Sequence, residues 1–146
     1  MRRVLDEIKA MKAKNAFLAV ISLDIRGAFD HVYHHKVLGE MLESNVPKYL
    51  VAIIENYFKE RKVAVATEIR GVDRGCPQGS VLGPVLWNVV YNIIVRLLKA
   101  LGIVVFAFAD DTLMLIPAQR TDELQAKIAV AIDALIEEYL KLGLNT

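Results

Sequence analysis

Two β-rich runs, residues 103–109 and 112–116, are separated by only Asp110 and Asp111. That is the spacing of a tight hairpin, so the chain is committed to an antiparallel pair with two carboxylates at its tip. A second apolar run, Phe17–Leu23, is nearly unbroken and predicts a central strand covered on both faces, with Asp24 at its C-terminal end. Setting these strands side by side is expected to gather three acidic residues at one edge of a sheet.

The rest of the chain supplies helices to cover that sheet. Val4, Leu5, Ile8 and Met11 recur at helical spacing within the first fourteen residues. Val37, Leu38, Met41 and Leu42 mark a second helix, ended by Ser44-Asn45-Val46-Pro47, and Leu50, Ile53, Ile54, Tyr57 and Phe58 mark a third. Residues 62–69 alternate in part and predict one strand ending at Gly71, with a short strand running into Gly75. Pro84 suits the first turn of a long helix that reaches about Leu101 and is closed by Gly102. Thr121 is expected to cap a last helix, with Asp122 and Glu123 in its first turn and Gly143 as its stop. The order predicts one α+β domain over residues 1–146, with helices packed on one face of a largely antiparallel sheet.

Composition narrows the function. A length of 146 residues suits a single domain. Eighteen basic against seventeen acidic residues leave a formal charge of +1, which supplies no broad basic field, so any nucleic-acid contact must be local. A hydrophobic content of 55% excludes disorder. The apolar run 81–98 is broken by Gly83, Pro84, Asn88, Asn92 and Arg96, as in a buried helix and not a membrane span, and no signal peptide is expected after Met1-Arg2-Arg3. With one cysteine, Cys76, an internal disulfide is excluded and the expected setting is reducing and intracellular.

Carboxylates at one sheet edge suit Mg²⁺ or Mn²⁺, because hard cations take oxygen ligands and commonly use one or two carboxylates plus substrate phosphates. Two such ions clamp the attacking and leaving oxygens of an in-line phosphoryl displacement. On spacing alone the alternative stays open that paired aspartates only solvate a hairpin tip. Asp30 reads as an N-cap for the helix after it. His31, His34 and His35 lack a second ligand cluster, and His31 with His35 reads as a solvated helix face, not a zinc site. The glycines of Gly75-Cys76-Pro77-Gln78-Gly79-Ser80 permit close backbone approach to a phosphate or base, or serve a plain strand-to-helix turn.

Three blocks, in order, resemble the palm motifs of reverse transcriptases, most of all those of non-LTR (LINE-type) retrotransposon enzymes. Leu23-Asp24-Ile25-Arg26-Gly27-Ala28-Phe29-Asp30 resembles the first palm motif. Residues 74–88, RGCPQGSVLGPVLWN, resemble the template- and nucleotide-contacting motif, and Phe108-Ala109-Asp110-Asp111 resembles the two-aspartate hairpin. The resemblance spans about residues 17–145. It implies a ferredoxin-like (RRM-like) palm and an RNA-directed DNA polymerase, a nucleotidyltransferase that joins a deoxynucleoside triphosphate (dNTP) to a primer 3′-hydroxyl on a template.

Carried over residue by residue, the resemblance makes Asp24 and Asp110 the principal ligands of two Mg²⁺ (or Mn²⁺) ions, with Asp111 at the same edge and the Ile25 carbonyl as a further ligand. Phe29, five residues after Asp24, takes the position of the ring beneath the incoming sugar, although by itself it reads as a core aromatic. Pro77, Gln78 and Gly79 would line the nucleotide and template pocket. The implied partners are an RNA or DNA template-primer and a dNTP, with no membrane. The family's fingers, last palm strand and thumb fall outside residues 1–146. A weak or inactive fragment is therefore expected, with apolar surface that those segments or another protein would cover. Nuclear action is implied by the resemblance alone. The competing expectation is a non-catalytic, palm-derived interaction or scaffold module; a nucleotidyl cyclase fits residues 77–80 and the Asp-Asp hairpin poorly.

Overall fold

The hairpin and the first apolar strand meet in one sheet. The computed structural model describes residues 2–25, 27–65, 68–76 and 79–144. In it β1 (Phe17–Leu23), β4 (Val104–Phe108) and β5 (Asp111–Ala118) form a three-stranded antiparallel sheet of order β1-β5-β4. The central strand is β5, whose Met114 pairs with Ile21 on one side and Val105 on the other. Thr112, Met114, Ile116 and Ala118 alternate toward one face and are buried, and Leu115, of opposite parity, is buried too. Such a pattern requires cover on both faces.

Helices α5 (Leu82–Ala100) and α6 (Thr121–Leu142) cover the face of Met114 and Ile116. Helix α5 commits Leu86, Val90, Ile94 and Leu98, spaced four apart, together with Trp87 and Tyr91. From α6 come Ala131, Leu135, Tyr139 and Leu142. Helix α3 (His34–Glu43) packs on α5, and α4 (Lys48–Lys59) on α3. An ion pair with one buried partner fastens α3 to α5: the Glu40 side chain, with no exposed area, accepts from the exposed Arg96 Nη2 at 2.6 Å and from Ser44 Oγ at 2.9 Å. The expected α+β architecture is present. The expected first helix, α1 (Arg2–Lys14), is present, but it packs on β1 and β5 from the opposite face, which corrects the expectation of helices on one face only; there Val4 lines a groove with Ser22, Phe106 and Leu113.

Several local expectations are corrected. The single strand expected over 62–71 is an antiparallel pair, β2 (Lys62–Val65) against β3 (Glu68–Gly71), and the intervening Ala66 and Thr67 lie outside the described residues. The short strand before Gly75 is one bridge, Tyr33 to Arg74. Asp30 lies inside a four-residue helix, α2 (Ala28–His31), and α3 starts after Tyr33, so Asp30 caps nothing. Thr121 is the first helical residue of α6 and makes no cap bond; Glu123 Oε2 instead reaches back to the Gln119 N–H at 2.9 Å. Gly143 does end α6, at φ +82°, with the Leu144 N–H bonded to Tyr139 O and the Gly143 N–H to Leu140 O, a Schellman stop. Among the described residues no helix is long and apolar enough to cross a membrane.

Candidate functional site

The ladder between β1 and β5 ends with Leu23 opposite Thr112. Asp24 directly follows Leu23 and Asp111 directly precedes Thr112, so both carboxylates lie at this end of the ladder. Asp110 precedes Asp111 in the turn to β4, where Phe108 pairs with Asp111. The two-residue turn is therefore Ala109-Asp110 and not Asp110-Asp111 as the spacing suggested, and Asp111 opens β5. All three carboxylates occupy one end of the sheet. Asp111 also lines the groove on the α1 face, a space of about 370 Å³ shared with Ser22, Phe106 and Phe108.

The donors at this edge are oxygens only, which fits a hard divalent cation that completes its shell with water and phosphate. Ile25, next to Asp24, is 3% exposed, and its side chain belongs to the core. Among the described residues, no three His, Cys, Asp or Glu side chains converge closely enough to hold an ion by themselves. The expected three-carboxylate cluster is thus an acidic edge rather than a closed cage.

Backbone bonds sew the second motif to the first. The Cys76 N–H donates to Phe29 O at 2.5 Å and the Gly75 N–H to Val32 O at 2.8 Å. The His34 Nε2–H donates to Gly75 O at 3.0 Å, while its ring stacks on Phe58 with centroids 3.9 Å apart. Burial lowers the His34 pKa below its ordinary value; the Gly75 carbonyl opposes the shift and Arg61 adds to it. The Cys76 thiol, also buried, is pushed up to about 11, which leaves it protonated and unreactive at neutral pH. Gly79, at φ +77°, is exposed with open space where a Cβ would stand. Pro77 and Gln78 lie outside the described residues. Ser80 Oγ accepts from the Gly83 N–H at 2.9 Å, satisfying one of the free donors that open α5.

The histidines do not form a ligand set. His31 Nδ1 bonds Gly27 O at 2.8 Å, His35 stacks on Tyr33, and His31 and His35 belong to different helices, not one face. Phe29 is half-buried with its ring 5.2 Å from that of Trp87, so it does serve the core as its residue type alone suggested. Sequence reasoning passed over Trp87 and Tyr91. The Trp87 Nε1–H donates to Ala109 O at 2.8 Å, the Tyr91 hydroxyl bonds Thr112 Oγ1, and the two rings stack at 5.1 Å. Ala109 sits at φ +53°, a left-handed conformation that costs a residue with a Cβ roughly 1–2 kcal/mol. The available signal was an aromatic pair four residues apart, Trp87 at the end of the 74–88 block and Tyr91 just beyond it.

Three palm-like blocks are therefore brought together around one acidic sheet end. A family model described as reverse transcriptase (RNA-dependent DNA polymerase) matches residues 1–145. The chain belongs to the reverse transcriptase family. Its fold is similar to a solved structure of apo telomerase from Candida tropicalis truncated from its C-terminal domain, with a TM-score of 0.58 and 15% identity. That match covers 99% of this chain and 33% of the telomerase chain, so the chain spans about a third of that neighbour's length. No curated protein matches the chain. Reverse transcriptases are polymerases of the nucleotidyltransferase kind, and as a family they use divalent metals and act on template-primer and dNTP.

Proposed function

We propose that this chain is the palm of a non-LTR-type reverse transcriptase and carries the nucleotidyl-transfer site of an RNA-directed DNA polymerase. The observation that supports it best is the ladder pair Leu23 and Thr112, which leaves Asp24 and Asp111 at the same end of the sheet, with Asp110 in the adjoining turn. Asp24 and Asp110 are the principal metal ligands, with Asp111 and the Ile25 carbonyl at the same edge. When bound, two Mg²⁺ ions would acidify the primer 3′-hydroxyl and neutralise the triphosphate charge. The chain's own residues orient the reactants. Phe29 stands beneath the incoming sugar, backed by Trp87, and Pro77, Gln78 and Gly79 line the nucleotide and template. In the reaction the primer 3′-oxygen bonds the α-phosphorus and pyrophosphate departs, with no covalent enzyme intermediate.

Thermal unfolding with and without Mn²⁺ plus a dNTP tests this reading. Ligand at a hundredfold excess over Kd adds about 2.7 kcal/mol of stability, or roughly 5–10 °C at this chain length. The shift is expected in the parent and is expected to vanish in Asp24→Asn and Asp110→Asn. A folded parent with no shift would refute the catalytic reading and favour an interaction or scaffold module. Primer extension with the fingers and thumb supplied then tests the reaction itself.

A further inference from the structure

We propose that Trp87 and Tyr91 are positioning residues that clamp the aspartate-bearing turn from its buried side. They stand four residues apart on α5 and so present one face. Their hydrogen bonds reach Ala109 and Thr112, the residues immediately before and after Asp110-Asp111. The clamp brackets both carboxylates without touching either.

Each bond has a specific task. Ala109 O belongs to the same planar peptide unit as the Asp110 N–H, so an indole bond on that oxygen fixes the plane from which Asp110 departs. This matters because Ala109 is held at φ +53°, a conformation that relaxes unless its surroundings over-determine it. Trp87 is 0% exposed and wedged between Phe29 and Tyr91, so its donor has little freedom to leave. At the far end Thr112 is 1% exposed, and its hydroxyl bond to Tyr91 fixes the residue that follows Asp111. Phe29, tilted 34° against the Trp87 ring, carries the aromatic contact on to the segment after Asp24, so one row of rings backs both acid-bearing segments.

The clamp stands on geometry alone, whereas its importance for metal binding rests on the polymerase reading above. Trp87→Phe keeps a ring beside both neighbouring aromatics but removes the N–H donor and some core volume, whereas Tyr91→Phe removes only the hydroxyl and is the cleaner variant. The first readout is amide hydrogen exchange over residues 108–112 without metal. Exchange there is expected to rise about tenfold, the effect of one net hydrogen bond, while α6 and β1 keep the parent rates. Unchanged exchange in this segment, or an equal rise everywhere, would overturn the clamp and leave Trp87 as ordinary core. If Trp87→Phe does not fold, Tyr91→Phe decides by the same criterion. The second readout is Mn²⁺ affinity of the folded proteins, expected to fall about ten- to a hundredfold, as when a group supporting a metal ligand is lost. An unchanged affinity beside increased exchange would overturn the positioning role. A parent that binds no Mn²⁺ would refute the polymerase reading and with it the metal-positioning role, while the exchange result would still decide the clamp.

Discussion

Removing Arg96 should expose how firmly α5 is anchored. The Glu40 side chain has no exposed area, and its carboxylate receives Arg96 Nη2 at 2.6 Å, Ser44 Oγ at 2.9 Å and Asn92 Nδ2 at 3.4 Å. In Arg96→Met the carboxylate stays buried with two neutral donors. Stripping the partner from a fully buried pair costs about 3–5 kcal/mol. Arg96 is itself 48% exposed, and water already screens part of the attraction, so roughly 2–3 kcal/mol is expected here. At this chain length that corresponds to a fall in Tm of roughly 6–9 °C. Denaturant titration of Arg96→Met, Glu40→Leu and the double variant closes the cycle, and the double variant should regain most of the loss, because it leaves no buried charge without a partner. An Arg96→Met protein within about 0.5 kcal/mol of the parent, the range of an ordinary surface substitution, would refute the argument.

Three further outcomes follow from the same geometry. Cys76, with its thiol pushed up to about 11 and 2% exposed, should resist iodoacetamide at pH 8 in the folded protein and react promptly in 6 M guanidinium; fast native labelling would contradict its burial. The His34 pKa is lowered by burial, so below its unfolded value near 6.5 the unfolded chain binds more protons. Stability should therefore drop as pH falls from about 6.5 through the folded pKa, and His34→Gln, measured by urea titration at pH 5 and pH 7.5, should lose that part of the slope. In Gly143→Ala a Cβ would stand 2.7 Å from Tyr33 Cδ2 and 3.1 Å from His31 O at φ +82°, so about 2–4 kcal/mol of destabilisation is expected by thermal unfolding. A change within about 0.5 kcal/mol, ordinary for a surface site, would mean that the end of α6 does not dock as described.

The elements that were legible are those with a single period and a clear stop. FLAVISL has no polar residue but Ser22, and it became β1, although as a partly exposed edge strand with Phe17 and Val20 in solvent and not as the expected central strand covered on both faces; the stripe of α6 ends at a glycine that supplies the left-handed stop. What stayed illegible has physical causes. Residues 62–70 contain no Gly, Pro or Asn, so nothing in the pattern announces the reversal from β2 into β3. The tip of the β4-β5 hairpin was misplaced because a turn at Asp110-Asp111 would pair Ala109 with Thr112, two residues out of the observed register. A shift of two leaves every side chain on its own face, so burial cannot discriminate between the two registers. Residue preference favoured Asp over Ala in the turn, and the structure places Ala109 at positive φ against that preference. The acidic edge was legible in outline, whereas its support by Trp87 and Tyr91 was not, because a buried indole on a helix reads as core until its N–H partner is known.

That support changes how the middle block is understood. The motif around Gly75 and the two-aspartate turn are far apart in sequence, yet both are held by α5. At its start, Ser80 ties the first turn at Gly83, and the residues just before it bond to the segment after β1 through Phe29 O and Val32 O. Near its middle, Trp87 and Tyr91 hold residues 109 and 112, and farther along Arg96 pins the helix to Glu40 on α3. A nineteen-residue helix tied at three levels is a stiff frame. Transfer chemistry depends on holding reacting groups to within fractions of an ångström, and sites carried on helices and strands achieve this better than sites on loops. Loop-borne acids such as Asp24 and Asp110 therefore need such a frame close by. By this argument Arg96→Met, although distant from the acidic edge, should raise hydrogen exchange over residues 108–112 only if the whole helix shifts. Trp87→Phe should raise it with α5 still in place.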